Sequence, residues 1–134
     1  MISFLSLGSN LGNREKNLQR AISLIKEQVG EVLKTSSFIE TKPWGFSSDN
    51  MFLNACVKVD TALSPRKLLS ETQKIEKLIG RTHKSDGGEY ADRLIDIDIL
   101  LYGDITVEEE GLRIPHPHMY ERDFVMVPLK EIMK

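Results

Sequence analysis

The sequence contains few cysteines, no long apolar segment and no excess of charge of either sign. Its single cysteine, Cys56, cannot close an internal disulfide, which is typical of proteins from a reducing compartment. No stretch approaches the roughly 20 consecutive apolar residues that a transmembrane helix needs. The first ten residues lack the basic and apolar segments of a signal peptide. We therefore expect a cytoplasmic protein that does not enter a membrane.

The charge balance argues against nucleic acid as a partner. Eighteen basic and twenty acidic side chains give a formal net charge of −2, whereas nucleic-acid-binding domains carry a basic patch or stripe. The chain also lacks the G-x-x-x-x-G-K-[ST] and G-x-G-x-x-G patterns of the common phosphate-binding loops. The GSNLG segment after the first predicted strand is therefore interpreted as a tight turn, and any bound polyanion must be held at a local site rather than on a broad basic surface. Residues 1–134 are expected to form a single domain, since domains of this size are common.

The order of the predicted elements indicates an α+β fold. Apolar or β-branched segments predict strands at 2–7, 32–41, 52–60 and 94–102. Helical spacing of apolar residues predicts one helix from Arg14 to a cap at Gly30 and a second from Pro65 to Gly80. This strand, helix, strand, strand, helix, strand order is ferredoxin-like, with a mostly antiparallel sheet and helices packed on one face. A small hairpin and a short terminal helix should follow.

The segment RLIDIDILLYGD, residues 93–104, places two aspartates inside an apolar strand. Residues two apart in a strand share a face, so Asp96 and Asp98 should lie together. A buried carboxylate is costly unless a cation neutralises it. Paired carboxylates suit Mg²⁺, which keeps waters and phosphate oxygens in its other positions. The pattern predicts a metal site; the alternative is one ion pair with lysine or arginine and one solvated aspartate.

Cationic residues on both sides of this strand could serve phosphoryl transfer. The glycine-containing loop 81–93 carries Arg81 and Arg93, which would hold phosphate oxygens; the alternative is a solvated surface loop. His116 and Arg122 lie in a proline-containing segment further on. Phosphate binding is one interpretation of that segment, and packing against the chain terminus is the other.

An aromatic and amide set suits a flat polar heterocycle. Phe52 and Asn54 share one face of their strand, and Phe124 follows later. Aromatic rings stack on such a ligand and an amide both donates and accepts hydrogen bonds, whereas core packing is the alternative for the phenylalanines. Trp44 is either a cover for the same pocket or a packing residue.

In combination, the motifs resemble those of one enzyme family. The segments are LGSNLGN, SSFIETKPWG, FLNACV, QKIEKLIGR, DRLIDIDILLYGD and IPHPHMYERDFVMVPL, which together cover nearly the whole chain. They resemble the 6-hydroxymethyl-7,8-dihydropterin pyrophosphokinases of folate biosynthesis. The resemblance implies a monomeric, ferredoxin-like enzyme that transfers pyrophosphate from ATP to the hydroxymethyl group of the pterin and releases AMP. It also implies two Mg²⁺ ions as cofactors.

The resemblance implies a role for each matching residue. Those implied at the pterin are Thr41, Trp44, Phe52, Asn54 and Phe124. Those implied at ATP are Gln73, Glu76, His116 and Arg122, although Gln73 and Glu76 taken alone are ordinary polar residues of a helix surface. The implied catalytic residues are Arg81, Arg93, Asp96 and Asp98, and the two aspartates are also the implied metal ligands.

The chain departs from some relatives in the loop before the acidic pair. His83 stands where some members carry a second arginine, Tyr90 lies near a tryptophan position, and Ala91, Asp92 and Arg93 replace G-P-R. The chain also ends sooner than some relatives. These differences bear on how the loop closes and on contacts of a longer C-terminal tail, rather than on the reaction.

Two other classes of protein share parts of the pattern. A D-x-D nucleotide-sugar transferase would hold a diphosphate with the same aspartates, but 134 residues are few for that chemistry and show no evident sugar site. A non-catalytic binding module is the other alternative, because the ferredoxin-like fold hosts many functions. Dependence of turnover on a pterin and on Asp96 and Asp98 separates these alternatives from the kinase.

Overall fold

The computed structural model describes residues 1–42, 50–80 and 94–133. The strands are β1 Ile2–Ser9, β2 Gly30–Thr35, β3 Ile39–Thr41, β4 Phe52–Thr61, β5 Asp96–Tyr102, β6 Val107–Glu109 and β7 Leu112–Ile114. The α-helices are α1 Arg14–Gln28, α2 Pro65–Gly80 and α3 Asp123–Ile132, and a 3-10 helix spans Met119–Glu121. The predicted loop 81–93 and Trp44 lie outside the described residues.

The main sheet has the ferredoxin-like strand order and confirms the predicted fold class. The order is β2-β4-β1-β5, with every neighbouring pair antiparallel, and β3 also pairs with β4. Strands β6 and β7 form the expected separate hairpin. Within the described ranges, no helix has the length and apolar character needed to cross a membrane.

Several predicted boundaries differ from the structure by one or two residues, and two larger differences have a physical reason. Gly30 does not cap α1 but begins β2, where a Cβ atom would lie 2.1 Å from the carbonyl oxygen of Asp60. The glycine is therefore needed for the close approach of β2 to β4. The predicted strand 32–41 is two strands, because Ser36 interrupts it. The hydroxyl of Ser36 accepts a hydrogen bond from the backbone N–H of Cys56 at 2.8 Å.

Helices α1 and α2 pack on one face of the sheet, as predicted. Side chains from β1 and β4 on this face alternate with those on the other face, which is the period of a strand. The fully buried members of this core include Leu5, Leu7, Leu18, Ile25, Val57, Val59, Leu68 and Ile75. Burial of these apolar side chains is the main stabilising contribution to the fold.

Helix α3 packs on the opposite face, which the prediction of helices on one face did not include. Its residues Val125 and Leu129 lie against Phe4, Cys56 and Leu100 in a second buried cluster. Burial raises the pKa of the Cys56 thiol from 9.0 to about 12. The helix covers only part of this face. Among the described residues, the remaining part of this face, at the end of β1 and the starts of β4 and β5, lines a cavity.

Candidate active site

A cavity of about 520 Å³ lies beside the N-terminal end of α3. Its volume is typical of small-molecule sites, which span roughly 300–1,000 Å³. Strands β1, β3, β4, β5 and β7, together with the segment that leads into α3, provide its walls. The cavity brings together eight of the predicted site residues: Thr41, Phe52, Asn54, Asp96, Asp98, His116, Arg122 and Phe124. These residues come from three distant parts of the chain, and the fold brings their side chains together in one cavity.

The acidic pair lies on β5, on the cavity side. Asp96 is opposite Gly8 and Asp98 opposite Ser6 in the register with β1. Oδ2 of Asp98 is 3.9 Å from Nη1 of Arg122 and 3.9 Å from Nε2 of His116. Arg122 is only 6% exposed, so its positive charge is held in place beside the carboxylate. The ion pair considered as an alternative for one aspartate is therefore present at Asp98.

The donor set of this pair suits a hard cation that retains other ligands. Among the described residues, no group of three or more His, Cys, Asp or Glu side chains is arranged to hold a metal. A site with two carboxylates fits Mg²⁺, which binds through one or two carboxylates together with waters and substrate phosphates. It does not fit a structural zinc site, which needs four nitrogen or sulfur ligands.

The imidazole of His116 is held neutral. Burial, followed by the charges of Arg122 and His118, lowers its pKa from 6.5 to about 4. Its Nδ1 accepts a hydrogen bond from the backbone N–H of His118 at 3.3 Å, which assigns the ring proton to Nε2. Nε2 is the nitrogen that faces Asp98. At neutral pH the ring therefore presents a hydrogen-bond donor to the cavity without a full charge.

An aromatic and amide surface forms the wall beside β3 and β4. The amide nitrogen of Asn54 donates to the hydroxyl of Thr41 at 2.6 Å. The rings of Phe52 and Phe124 line the same cavity, and the guanidinium carbon of Arg122 lies 5.6 Å from the centre of the Phe124 ring. This arrangement offers two aromatic faces and a positioned amide to a flat polar ligand.

Gln73 and Glu76 lie on α2 and do not line the cavity. The carboxylate of Glu76 accepts a hydrogen bond from the backbone N–H of Ile97 at 2.8 Å. Glu76 thus binds the backbone between the two aspartates and holds β5 against α2. Gln73 is exposed.

Sequence reasoning did not assign Lys42 and Arg113, which both line the cavity. Arg113 lies between the buried residues Leu112 and Ile114 of β7, so alternation in this short strand was the available indication. Lys42 directly follows Thr41 and carried no pattern of its own. Arg81, Arg93 and Trp44 lie outside the described residues, as do His83, Tyr90 and Asp92, and their roles stay predictions.

Fold and site together define a ferredoxin-like domain whose pocket combines a carboxylate pair and cationic side chains with an aromatic wall. A model of the family 7,8-dihydro-6-hydroxymethylpterin-pyrophosphokinase (HPPK) matches residues 4–134. The chain belongs to this family.

Curated relatives agree with this membership, and a solved structure shares the fold. A Porphyromonas gingivalis protein named 2-amino-4-hydroxy-6-hydroxymethyldihydropteridine pyrophosphokinase is 49% identical over 132 residues, which cover 98% of this chain and 90% of the relative. A Bacillus subtilis protein of the same name is 44% identical and is covered over 77% of its length. The crystal structure of wild-type Plasmodium falciparum HPPK-DHPS matches with a TM-score of 0.77 at 18% identity. That match covers 97% of this chain and 40% of the longer chain, and it shows the shared fold.

Proposed function

We propose that this chain transfers the pyrophosphoryl group of ATP to the hydroxymethyl oxygen of 6-hydroxymethyl-7,8-dihydropterin and releases AMP, as a step of folate biosynthesis. Membership of the HPPK family makes the chain an enzyme of the pyrophosphokinase class. The observation that carries the proposal is the shared cavity, in which a carboxylate pair and a buried arginine face an aromatic and amide wall. A nucleotide phosphate chain and a flat polar acceptor would meet there.

The pterin half of the site would be formed by Thr41, Phe52, Asn54 and Phe124. Aromatic rings stack favourably on a flat heterocycle. The amide of Asn54 matches a ring that carries both donors and acceptors along its edge. A site that hydrogen-bonds its ligand in this way rejects analogues that lack the matching groups, since its buried polar atoms would then be unsatisfied. Trp44 is proposed as a cover for this half.

The nucleotide half would use His116 and Arg122 at the phosphates. Arg122 supplies a fixed positive charge, and the neutral His116 donates from Nε2, so both stabilise phosphate oxygens. Gln73 and Glu76 are proposed at the nucleoside on the strength of the family resemblance.

Arg81 and Arg93 are proposed to hold the transferring group. Arginine suits this task because its planar fork of donors matches phosphate oxygens.

Asp96 and Asp98 would hold two Mg²⁺ ions together with phosphate oxygens of ATP. When bound, these ions supply charge neutralisation and alignment of the phosphate chain. The chain's own contribution is the fixed position of both carboxylates, which β5 holds on one face of the sheet.

The reaction is a displacement at the β-phosphorus of ATP. The hydroxymethyl oxygen forms a bond to this phosphorus while the bond from the phosphorus to the oxygen bridging to the α-phosphate breaks. AMP leaves with the bridging oxygen, and the hydroxyl proton is released to solvent. Phosphoryl transfer depends mainly on alignment and charge stabilisation. The two halves of the cavity would provide the alignment, and Arg122 with the bound ions would provide the charge.

We also propose that residues 1–134 act as one monomeric domain in the cytoplasm, with ATP and the pterin as partners and neither nucleic acid nor a membrane. The net charge of −2 supports the absence of a nucleic-acid partner. A single buried cysteine supports a reducing compartment.

The test is AMP formation by the purified protein with ATP, Mg²⁺ and the pterin. AMP should appear only when the pterin is present, and its rate of formation should fall sharply in Asp98→Asn. Asp104→Asn is the matched control, because Asp104 is an exposed aspartate just beyond β5 and does not line the cavity. Formation of ADP in place of AMP, or no consumption of ATP by the folded protein, would contradict the proposal.

A further inference from the structure

Arg14, the first residue of α1, connects this helix to both strands that flank the segment 43–49. Its Nη1 donates to the backbone carbonyl of Met51 at 2.9 Å, and its Nη2 donates to the carboxylate of Glu40 at 2.6 Å. Met51 directly precedes Phe52 on β4, and Glu40 directly precedes Thr41 on β3. One guanidinium therefore holds the two strands beside two residues of the proposed pterin half.

The position of Arg14 is itself fixed by the turn before α1. The side chain of Asn13 caps the helix by accepting a hydrogen bond from the backbone N–H of Lys16 at 3.1 Å. The amide of Asn17 donates to the hydroxyl of Ser9 at 3.2 Å and to the carbonyl of Leu11 at 3.0 Å. These bonds attach the start of α1 to the end of the central strand β1.

Strand β3 needs such support because its pairing is short. It has three residues, and within the described part of the chain its strand pairing is with β4 alone, with Ile39 opposite Asn54 and Thr41 opposite Phe52. A tilt of β3 would change the distance from the hydroxyl of Thr41 to the amide of Asn54, which is now 2.6 Å. Asn10 reinforces the connection from the same turn, since its amide lies 3.4 Å from the carbonyl of Asn50.

We infer that Arg14 is a positioning residue for the pterin half of the cavity, an inference that rests on the proposed function. The ion pair with Glu40 is partly exposed, with side-chain exposures of 30% and 53%, so it contributes little alone. The bond from a charged guanidinium to the carbonyl of Met51 is the stronger contact. The cavity residues on β5 and β7 lie outside this set of contacts, so the effect of losing Arg14 should fall on the pterin and spare ATP.

The kinetic test compares Arg14→Ala with Arg20→Ala, an exposed arginine on the same helix. Arg14→Ala should raise KM for the pterin on the order of tenfold, as for loss of one charge-assisted hydrogen bond, and leave KM for ATP within about twofold. Arg14→Lys should recover part of this loss, because an ammonium is less suited than a guanidinium to bonding both acceptors. Equal rises in both KM values, or a pterin KM matching that of Arg20→Ala, would overturn the inference.

A second readout does not depend on activity. Amide hydrogen exchange of residues 39–41 and 52–54 should be several-fold faster in Arg14→Ala than in Arg20→Ala, because the pairing of β3 with β4 opens more often. Unchanged exchange there would refute the positioning role even if the wild-type enzyme were active. Absence of AMP formation by the wild type would refute the proposed function, and the exchange data would still decide the role of Arg14. If Arg14→Ala does not fold, Arg14→Lys is measured in both assays, and wild-type behaviour in both would refute the role.

Discussion

Replacing Gly8 by alanine should weaken pterin recognition without unfolding the protein. Gly8 lies opposite Asn54 in the pairing of β1 with β4. A Cβ atom at Gly8 would be 2.9 Å from Oδ1 of Asn54 and 3.5 Å from a ring carbon of Phe52. The first distance is too short for a real contact, so the amide of Asn54 must move by a few tenths of an ångström. It is buried and bonded to Thr41, and it cannot move without disturbing that bond.

The size of the expected rise in KM for the pterin follows from the weakening of one hydrogen bond. Loss of such a bond costs about 1 kcal/mol, which corresponds to a rise in KM for the pterin of about fivefold. The backbone of Gly8 is not in the left-handed region, since the glycines with positive φ among the described residues are Gly12, Gly103 and Gly111. Alanine also reduces the entropy of the unfolded chain by about 0.4–1 kcal/mol. The free energy of unfolding should therefore change little.

The assay is steady-state AMP formation with the pterin varied, alongside thermal unfolding. Gly80→Ala is the matched control, because a Cβ atom at Gly80 meets nothing within 4 Å. The expected result is a selective rise in KM for the pterin in Gly8→Ala alone. If the two variants have the same KM for the pterin, the contact between Gly8 and Asn54 does not control recognition and the reasoning is wrong.

Three further predictions concern single side chains. Asp98→Asn should lower the rate of AMP formation by a factor on the order of 10² to 10³, as for loss of a group that stabilises transition-state charge, while circular dichroism shows a folded protein. His116 should titrate with a pKa of about 4 by NMR. Because this value lies below the unfolded value of 6.5, the contribution of His116 is fully present above pH 6.5 and is lost as the pH falls towards 4. Wild type should therefore lose more stability than His116→Gln over that range, and equal losses would contradict the shift. Cys56, with its pKa raised to about 12, should resist a thiol reagent at pH 8 until the protein unfolds, and rapid labelling of the native state would count against this burial.

The fold was predictable because short segments of the sequence specify most of its strands and helices. Turn residues and the two hydrophobic periods defined β1, α1, β4, α2 and β5 in order, and this order belongs to few architectures. Alternation along β4 also placed Phe52 and Asn54 on the cavity side, away from Val57 and Val59. The pair Asp96 and Asp98 was recognisable because burying a carboxylate in an apolar strand costs free energy unless a cation compensates its charge.

The remaining features depend on contacts between distant segments. Gly30 fits a helix cap by its sequence, and only the approach of β4 shows that its lack of a Cβ serves strand pairing. Lys42 carries no sequence pattern that distinguishes it from a solvated cation, and the only indication for Arg113 was alternation in the short strand β7. By its sequence Glu76 is an ordinary polar residue of a helix surface, and only the structure shows that its carboxylate accepts a hydrogen bond from the backbone N–H of Ile97. Such contacts follow from register and packing, which a single sequence does not specify.

The position of β5, which carries the acidic pair, also bears on whether copies of the protein associate with one another. In the described part of the chain, strand β5 lies at an edge of the sheet, and such edges can recruit strands from other chains. Here the N–H of Ile97 is bonded to Glu76, and the carbonyl of Leu100 accepts from the backbone N–H of His116 at 3.0 Å. Asp96 and Asp98 add charge along the same strand. The contacts that shape the site thus also leave this edge poorly suited to fibre-like association.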